Sequence, residues 1–545
     1  MRNKKEANER ECKVSSVKKS ILAAILVISA LAMFTGVASA YDPPCTCGDI
    51  CVNETGWWRA NADFNASNTP IQHAIDNATA GNTICVKEGS YNENVDVNKQ
   101  LTIRSEKGSA LTIVNASDPN KCVFVVTVNY VNISGFTVKD GFVGIYLSNN
   151  VGHCNISDNN ATNNTDGFRL DTSSHDNTLT NNTANSNSGA GILCLTSSDN
   201  ILTNNTANSD EYGIWLYNSS NNNTLTNNTA NSNNVDGFLL QDSSNNNTLT
   251  NNNASGNKGI GIYLWGTSQS NNLTSNKISG NELSGIELRD SCGNNKIQDN
   301  NISLNTNDAI FVDGSSNKSR IIANNLSFNG HYGIHVNNSH ESNITGNIIL
   351  SNSWDGIRLS SSSNNTLTNN TASNNTDYDF WSDQNSHNNT AEDLTISSYP
   401  TTISFTYDQG IKLKGVTTPE PDPVGKANIG KYVNATNVTA NSWIFLNVSY
   451  TDADVSGVVE GSLLLYKWNE TASAWELANE TGKPNGVNTT GNYVYANVTS
   501  FSQIAPFGNP TPTPPVPVPV FNTMGLLALI GILMVLAVVT LRKRK

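Results

Sequence analysis

Between residues 144 and 382 one apolar phrase returns again and again: a small residue, then an apolar, a variable and a second apolar position. It reads GIYL at 144, GFRL at 167, GILC at 191, GIWL at 213, GFLL at 237 and GIYL at 261. It continues as GIEL at 285, AIFV at 309, GIHV at 333, GIRL at 356 and a degenerate DFWS at 379. Successive phrases lie 22 to 24 residues apart, and a fixed period of that length predicts a solenoid. Within each phrase the alternation has period two, as in a strand with one buried face. About eleven residues further on, segments such as NTLTNN supply a second short strand with Leu225 or Leu249 pointing inward. Ser, Asn, Asp and Gly fill the intervals and suit turns, because Asn and Asp tolerate left-handed backbone angles. The repeats carry no helical periodicity, so the expected architecture is a parallel β-helix. At a strand spacing of ~4.8 Å its eleven coils make a rod of roughly 50 Å. Asn side chains at the coil corners are expected to form ladders, each amide donating to one neighbouring coil and accepting from the other.

These repeats resemble the right-handed parallel β-helix of the pectin-lyase-like superfamily, in particular the NosD-like and carbohydrate-binding/sugar-hydrolase types. The segment TPIQHAIDNATAGNTICVKEGSYNENVDVNKQLTIRS, residues 69–105, is similar to that family's N-terminal cap. In it a short amphipathic helix with Ile71, Ala74 and Ile75 seals the end of the core. The resemblance covers about residues 57–392 and speaks for fold more than function, since such folds host lyases, hydrolases, binding proteins and spacers.

The rest of the chain predicts an exported, anchored all-β protein. Lys18 and Lys19 precede an apolar run, Ile21 to Val37, and an Ala38-Ser39-Ala40 cleavage site, so residues 1–40 read as a signal peptide. Residues 41–68 form a Cys-containing segment, and 69–392 the β-helix with its cap. Residues 393–508 alternate as short strands (SWIFLNVSY, GSLLLYKWNE) and predict a β-sandwich, resembling the domain before the anchor in many archaeal surface proteins. A Pro-rich stalk spans 509–520, and 521–545 form a transmembrane helix with a basic tail, Arg542 to Lys545. The tail resembles archaeosortase sorting signals, which implies an archaeosortase partner, but Pro519-Val520-Phe521 stands where those signals carry Pro-Gly-Phe or Pro-Glu-Phe.

Charge narrows the partners. The chain carries −13, of which the leader contributes about +4 and the tail +4, leaving residues 41–541 near −21. Such an acidic surface repels nucleic acid. About thirty Asn-x-Ser/Thr sequons mark an exported glycoprotein of the cell surface, with acceptors recurring at Asn181, Asn204, Asn227, Asn246, Asn272, Asn301, Asn325 and Asn369. Eight cysteines follow the leader and suggest disulfides of open connectivity; the alternative for Cys45, Cys47 and Cys51 is a metal site.

The variable third position of the phrase makes an outward column: Tyr146, Arg169, Leu193, Trp215, Leu239, Tyr263, Glu287, Phe311, His335, Arg358 and Trp381. Two residues on, Asp171, Tyr217, Gln241, Trp265, Arg289 and Asp313 make a second. Exposed aromatics beside charged groups suit sugar rings or a partner protein of the cell envelope; cross-coil stacking for stability explains them as well. The favoured role is structural or adhesive rather than enzymatic, with polysaccharide along Tyr146, Arg169, Trp215, Tyr217, Tyr263, Trp265, Phe311, His335, Arg358 and Trp381. A polysaccharide lyase or glycosidase is the alternative. Its acids would be Glu287, Asp290 and Asp313, with Ca²⁺ for a lyase, although Arg289 and Asp313 equally form a cross-strand ion pair. The NosD resemblance implies copper handling, for which His331 and His335, near His340, are the only clustered histidines in the sequence. No cofactor is required by the favoured reading.

Overall fold

The computed structural model describes residues 45–512, apart from 61, 397–398, 441 and 479–482, together with 523–543. The signal peptide, most of the Pro-rich stalk, Pro519-Val520-Phe521 and the last two basic residues lie outside the described residues. The described chain is nearly all β, a parallel β-solenoid followed by antiparallel strands and a C-terminal apolar helix, Thr523–Arg542. Within that helix Met524–Arg542 has a mean hydropathy of 2.8, long and apolar enough to cross a membrane.

The phrase strands stack in one parallel sheet, running from Val95–Val97 through Val143–Leu147 and Asp166–Leu170 to Phe380–Ser382. The register is the predicted one at every step: Tyr146 pairs with Arg169, Arg169 with Leu193, Leu193 with Trp215, and so on to Arg358 with Trp381. Each typical coil, however, has three strands rather than the expected two. After the phrase strand come a second (Asn155–Ser157, Thr178–Thr180, Thr224–Thr226) and, two residues later, a third (Asn160–Thr162, Thr183–Asn185). The third strand escapes hydropathy because its single inward residue is often Ala, as at Ala161, Ala184 and Ala207. Small size there is functional packing. A Cβ added to Gly167, which opens the phrase preceding Ala184, would lie 2.9 Å from the Ala184 Cβ, and one on Gly191 2.7 Å from that of Ala207. The corner between third strand and phrase is closed by this Gly/Ala contact.

Asn builds the other corners. One ladder runs Asn159, Asn182, Asn205, Asn228, Asn252, Asn276, Asn300, Asn324, Asn347, Asn370, all buried. Each Nδ2 donates to the next Oδ1, at 3.0 Å from Asn205 to Asn228 and 3.1 Å from Asn228 to Asn252. Asn205 Nδ2 also donates to the Leu179 carbonyl at 2.8 Å, and its backbone N–H to Asn228 Oδ1 at 2.9 Å. The predicted laddering is thus present, and it lies wholly inside the turns, where an unpaired amide would cost about 1–3 kcal/mol.

The ends are closed differently. Ile71, Ala74 and Ile75 of the helix Pro70–Asn77 are fully buried over the first coils, as expected. No side chain caps this helix from Thr69; Glu93 of the first coil accepts from the N–H groups of Ile71 and Gln72 at 3.0 and 2.9 Å instead. Lys99 Nζ donates to the carbonyls of Ile75, Asp76 and Ala78 at the other end. Above the helix, Ile50–Asn53 adds a parallel strand to Thr83–Val86, clamped by disulfides Cys45–Cys51 and Cys47–Cys85. Cys45, Cys47 and Cys51 are therefore disulfide-bonded, and Cys122, Cys154, Cys194 and Cys292 remain free thiols, the last three buried in the solenoid. At the far end Phe380–Ser382 pairs antiparallel with Ile411–Gly415, and Thr390–Ile396 with Thr401–Tyr407. Two antiparallel sheets grow from these edges, and their inward residues, among them Phe405, Leu446, Leu413 and Ile504, join the same buried core as the coils. The solenoid's last edge is in this way paired rather than exposed.

Candidate functional site

The phrase strands carry the outward column, but it is not the open strip the alternation implied. Leu193, Leu239 and Glu287 are only 6, 5 and 4% exposed. A further column runs beside them, made by the residue just before the phrase: Asp166, Tyr212, Asp236, Asp308, Tyr332, Asp355 and Tyr378, with Ala190, Ile260 and Ser284 in the coils between. Sequence reasoning passed over this position. The signal was present in the recurring Asp-Gly and Tyr-Gly pairs (DG at 166, 236 and 355, YG at 212 and 332). Its acids are structural as well as chemical. Asp236, Asp308 and Asp355 accept from the backbone N–H of Ile260, Tyr332 and Tyr378 one coil on, at 2.7, 3.1 and 3.1 Å.

The column residues therefore gather into separate groups. Near the start, Tyr146 Oη donates to Asp171 Oδ2 at 2.9 Å, and Arg169 bridges Asp171 (3.2 Å) and Asp166 (3.5 Å). In the next group Trp215 lies between Tyr212 and Tyr217, with ring centroids 4.9 and 5.0 Å apart. Tyr263 stacks on Trp265 at 6.4 Å, and Trp265, 38% exposed, donates its indole N–H to Asp290.

The densest group spans four coils from Phe311 to Trp381. Phe311 stacks on His335 at 4.8 Å, and Tyr332 packs edge-on to His335 at 4.7 Å. Arg358 lies 3.6 Å over the Trp381 ring and 4.9 Å over Tyr332, while its guanidinium pairs with Asp355 at 3.0 Å. Trp354, 41% exposed and not singled out by the sequence pattern, stacks on His331 at 4.2 Å. His331 and His335 converge on opposite oxygens of Asp308, at 3.8 and 3.4 Å, whereas His340 is elsewhere, its Nδ1 accepting from the Ser363 N–H. These are also not the only clustered histidines: His153 and His175, one coil apart, meet beside Asp176.

The three candidate acids are not brought together. Arg289 pairs with Glu287 of the same coil instead of bridging to Asp313. Asp313 accepts from Asn337 Nδ2 at 2.8 Å, and Asp290 is engaged by Trp265. The strand pleat explains this, since side chains two residues apart share a face while Arg289 and Asp313 leave the sheet where it enters the turn. Burial pushes Glu287 up to about 6; Asp308 and Asp236 add to this, while Arg289 and a Ser284 hydrogen bond oppose it. Burial also raises Asp236 to about 6. The sequon residues Asn181, Asn204, Asn227, Asn246, Asn301, Asn325 and Asn369 are exposed on the other faces and corners, and Asn272 is half-buried.

Coils of parallel strands, Gly/Ala corners and buried Asn ladders define a β-solenoid protein. Its sequence matches the right-handed beta helix region over residues 121–278, 202–326 and 268–418, more than half of the chain, and the protein belongs to that family. It is 42% identical over 105 residues to a cell surface glycoprotein of Methanothermus fervidus, covering 19% of this chain and 17% of that protein. It is 29% identical over 108 residues to the uncharacterized protein YwoF of Bacillus subtilis, covering 16% and 23%. The chain thus spans about a fifth of the length of the curated relatives it matches. Among solved structures, it is similar to the A-module of the mannuronan C-5 epimerase AlgE6 of Azotobacter vinelandii, with TM-score 0.46, 15% identity and 61% and 95% of the two chains covered. The Dettilon tailspike protein matches with TM-score 0.42, 12% identity and 82% and 90% coverage.

Proposed function

We propose that the protein is a glycosylated, membrane-anchored component of the cell surface, structural or adhesive in role, that holds glycan against the group from Phe311 to Trp381. The observation that carries this is Trp354. It is a large indole held over His331 at the surface, in a patch where the partly exposed Arg358 guanidinium, held from behind by buried Asp355 and Tyr332, can hydrogen-bond a sugar whose ring stacks on the indole. The apolar helix Thr523–Arg542 is the anchor, and the Methanothermus relative's name supports the location. Trp265 offers a second, smaller platform two coils before Phe311. The remaining candidates, Tyr146, Arg169, Trp215, Tyr217 and Tyr263, stiffen the face by stacking and ion pairing.

The test is a glycan array probed with the purified chain. Binding lost in Trp354→Ala supports the reading. Equal binding by Trp354→Ala and Trp265→Ala removes the aromatic groups from it, and an array without signal beside capture of an envelope protein turns the patch into a protein-binding surface.

A second reading, a polysaccharide-acting enzyme, is favoured by the buried Glu287 with Asp236 and Asp308 as acidic neighbours. Against it, Glu287 is covered and paired with Arg289. Release of reducing or unsaturated sugar ends that is abolished by Glu287→Gln decides for it. Copper handling at His331 and His335 is tested by copper retention after dialysis in His335→Ala.

A further inference from the structure

We propose that His153, His175 and Asp176 form a site for a borderline divalent transition ion, Zn²⁺ being the representative. It lies on a different face from the aromatic groups, at the corner between the phrase strand and the second strand. One ring nitrogen of each imidazole and one carboxylate oxygen of Asp176 lie within 4.8 Å of one another. His175 Nδ1 stands 3.0 Å from Asp176 Oδ2, and the two imidazoles meet edge to face at 5.5 Å between centroids.

The surroundings hold this geometry. His153 and Asp176 both occupy left-handed backbone positions (φ 58° and 52°), which turn their side chains out of the corner. The His175 ring lies directly over Gly152, where a Cβ would sit 2.7 Å from Cε1 and 2.9 Å from Nδ1. Only glycine at 152 leaves room for the imidazole. Tyr130, one coil earlier, stacks on His153 at 4.9 Å and 16°, fixing that ring's plane. His153 and Asp176 line an open depression of about 720 Å³ with Tyr130, Cys154, Asn155 and Asp158, and His175 stands at its edge beside Asp176. Asp199 follows Ser198, the residue paired with His175, and so repeats the Asp176 position one coil on.

The chemistry selects the ion class. Two imidazoles and one carboxylate suit Zn²⁺, Co²⁺, Ni²⁺ or Cu²⁺, whereas Ca²⁺ and Mg²⁺ prefer all-oxygen shells. Three protein ligands on an open surface leave coordination positions for water or an external ligand. Cys154 is buried beneath the two imidazoles, its Sγ directed to the Gly152 carbonyl at 3.6 Å.

Co²⁺ titration of the purified full chain in detergent, read by visible absorption and by Zn²⁺ competition calorimetry, tests the site. One ion per chain is expected, with a Zn²⁺ affinity that falls at least tenfold in His175→Ala. His153→Asn, which suits the left-handed backbone and so keeps the fold, should lose affinity likewise, whereas His387→Ala, at an exposed histidine outside both groups, should leave it unchanged. Circular dichroism of each variant monitors folding. Binding undiminished in both His153→Asn and His175→Ala, binding lost in His387→Ala, or no stoichiometric Co²⁺ signal in the unaltered chain would each overturn the proposal.

Discussion

Asp210 is the one carboxylate inside an otherwise amide ladder, which gives the ladder a measurable pH dependence. The corner before the phrase runs Asn164, Asn187, Asp210, Asn233, Asn257, Asn281, with one residue per coil and every side chain buried. Asn187 donates its backbone N–H and its Nδ2 to Asp210 Oδ1 at 2.7 and 3.0 Å, and Asp210 N–H donates to Asn233 Oδ1 at 3.0 Å. Asp210 Oδ2 has no partner. By analogy with Asn187, whose Nδ2 also donates to the Ala161 carbonyl, Oδ2 stands where an amide would donate both to Asn233 Oδ1 and to a carbonyl. Both neighbours are acceptors, so a charged carboxylate is repelled and a protonated one can donate. Burial, opposed by the Asn187 bonds, pushes Asp210 from 3.8 up to about 7.

The sign follows from that direction. A raised carboxyl favours the protonated form in the fold, so its stabilising contribution is complete below about pH 4 and is lost as pH rises through about 7. The displacement from 3.8 to about 7 corresponds to roughly 4 kcal/mol at most. Asp210→Asn restores the missing donor and removes the titration. Its advantage should grow from about 1 kcal/mol at pH 4, one hydrogen bond, to as much as about 5 kcal/mol at pH 8, when the titration contribution is added. Because solenoids open coil by coil, hydrogen exchange at the amides of 187, 210 and 233, corrected for intrinsic rates, reads the local free energy directly. Asp236 and Glu287 also titrate high, and comparing the variant with the parent at each pH cancels them. An advantage of equal size at pH 4 and pH 8, or none at either, would refute the neutral-acid reading.

Three further outcomes are expected. Phe328 is 62% exposed at φ 57°, so Phe328→Asn should stabilise its coil by about 0.5–1 kcal/mol in the same exchange experiment. Lys99→Met removes the charge that binds three carbonyls at the cap helix's C-terminus and should cost about 1 kcal/mol, seen as faster exchange across residues 70–77. A Cβ at Gly261 would lie 2.4 Å from Ile278 Cγ2 and 2.7 Å from the Gly285 carbonyl, so Gly261→Ala should lower the coil's stability by roughly 1–3 kcal/mol.

What the sequence disclosed follows from what each position must do. The phrase register was legible because a glycine, two core residues and a variable site recur together, and a one-residue slip would turn Ile145 or Phe168 to solvent. The third strand was not, since Ala184 and Ala207 carry little hydropathy and their role is to let the glycines of the preceding phrases, Gly167 and Gly191, approach. Glu287 reads as outward by alternation, yet it is buried among Ser284, Arg289, Asp236 and Asp308, and burial by neighbours outside the strand has no period-two signature. The pairing of His153 with His175 was hidden because it depends on Gly152 making room for a ring 23 residues later.

The Asn-Asn-Thr triplets carry this reasoning to the sugar acceptors. In Asn181-Asn182-Thr183 the first Asn takes the left-handed corner (φ 55°) and is exposed, the second is buried in the ladder, and Thr183 opens the third strand. Asn204-Asn205-Thr206 repeats the arrangement, and Asn246-Asn247-Thr248 does so at the preceding corner. Each residue type is demanded by the backbone: Asn for positive φ, Asn for an amide ladder, Thr for a strand start. The triplet is therefore a sequon as a by-product of the coil. The Asn-Asn-Thr sequons are accounted for by the fold before any sugar is attached, so at these corners the argument for a glycosylated surface has to rest on which exposed Asn residues are occupied, and not on how many there are.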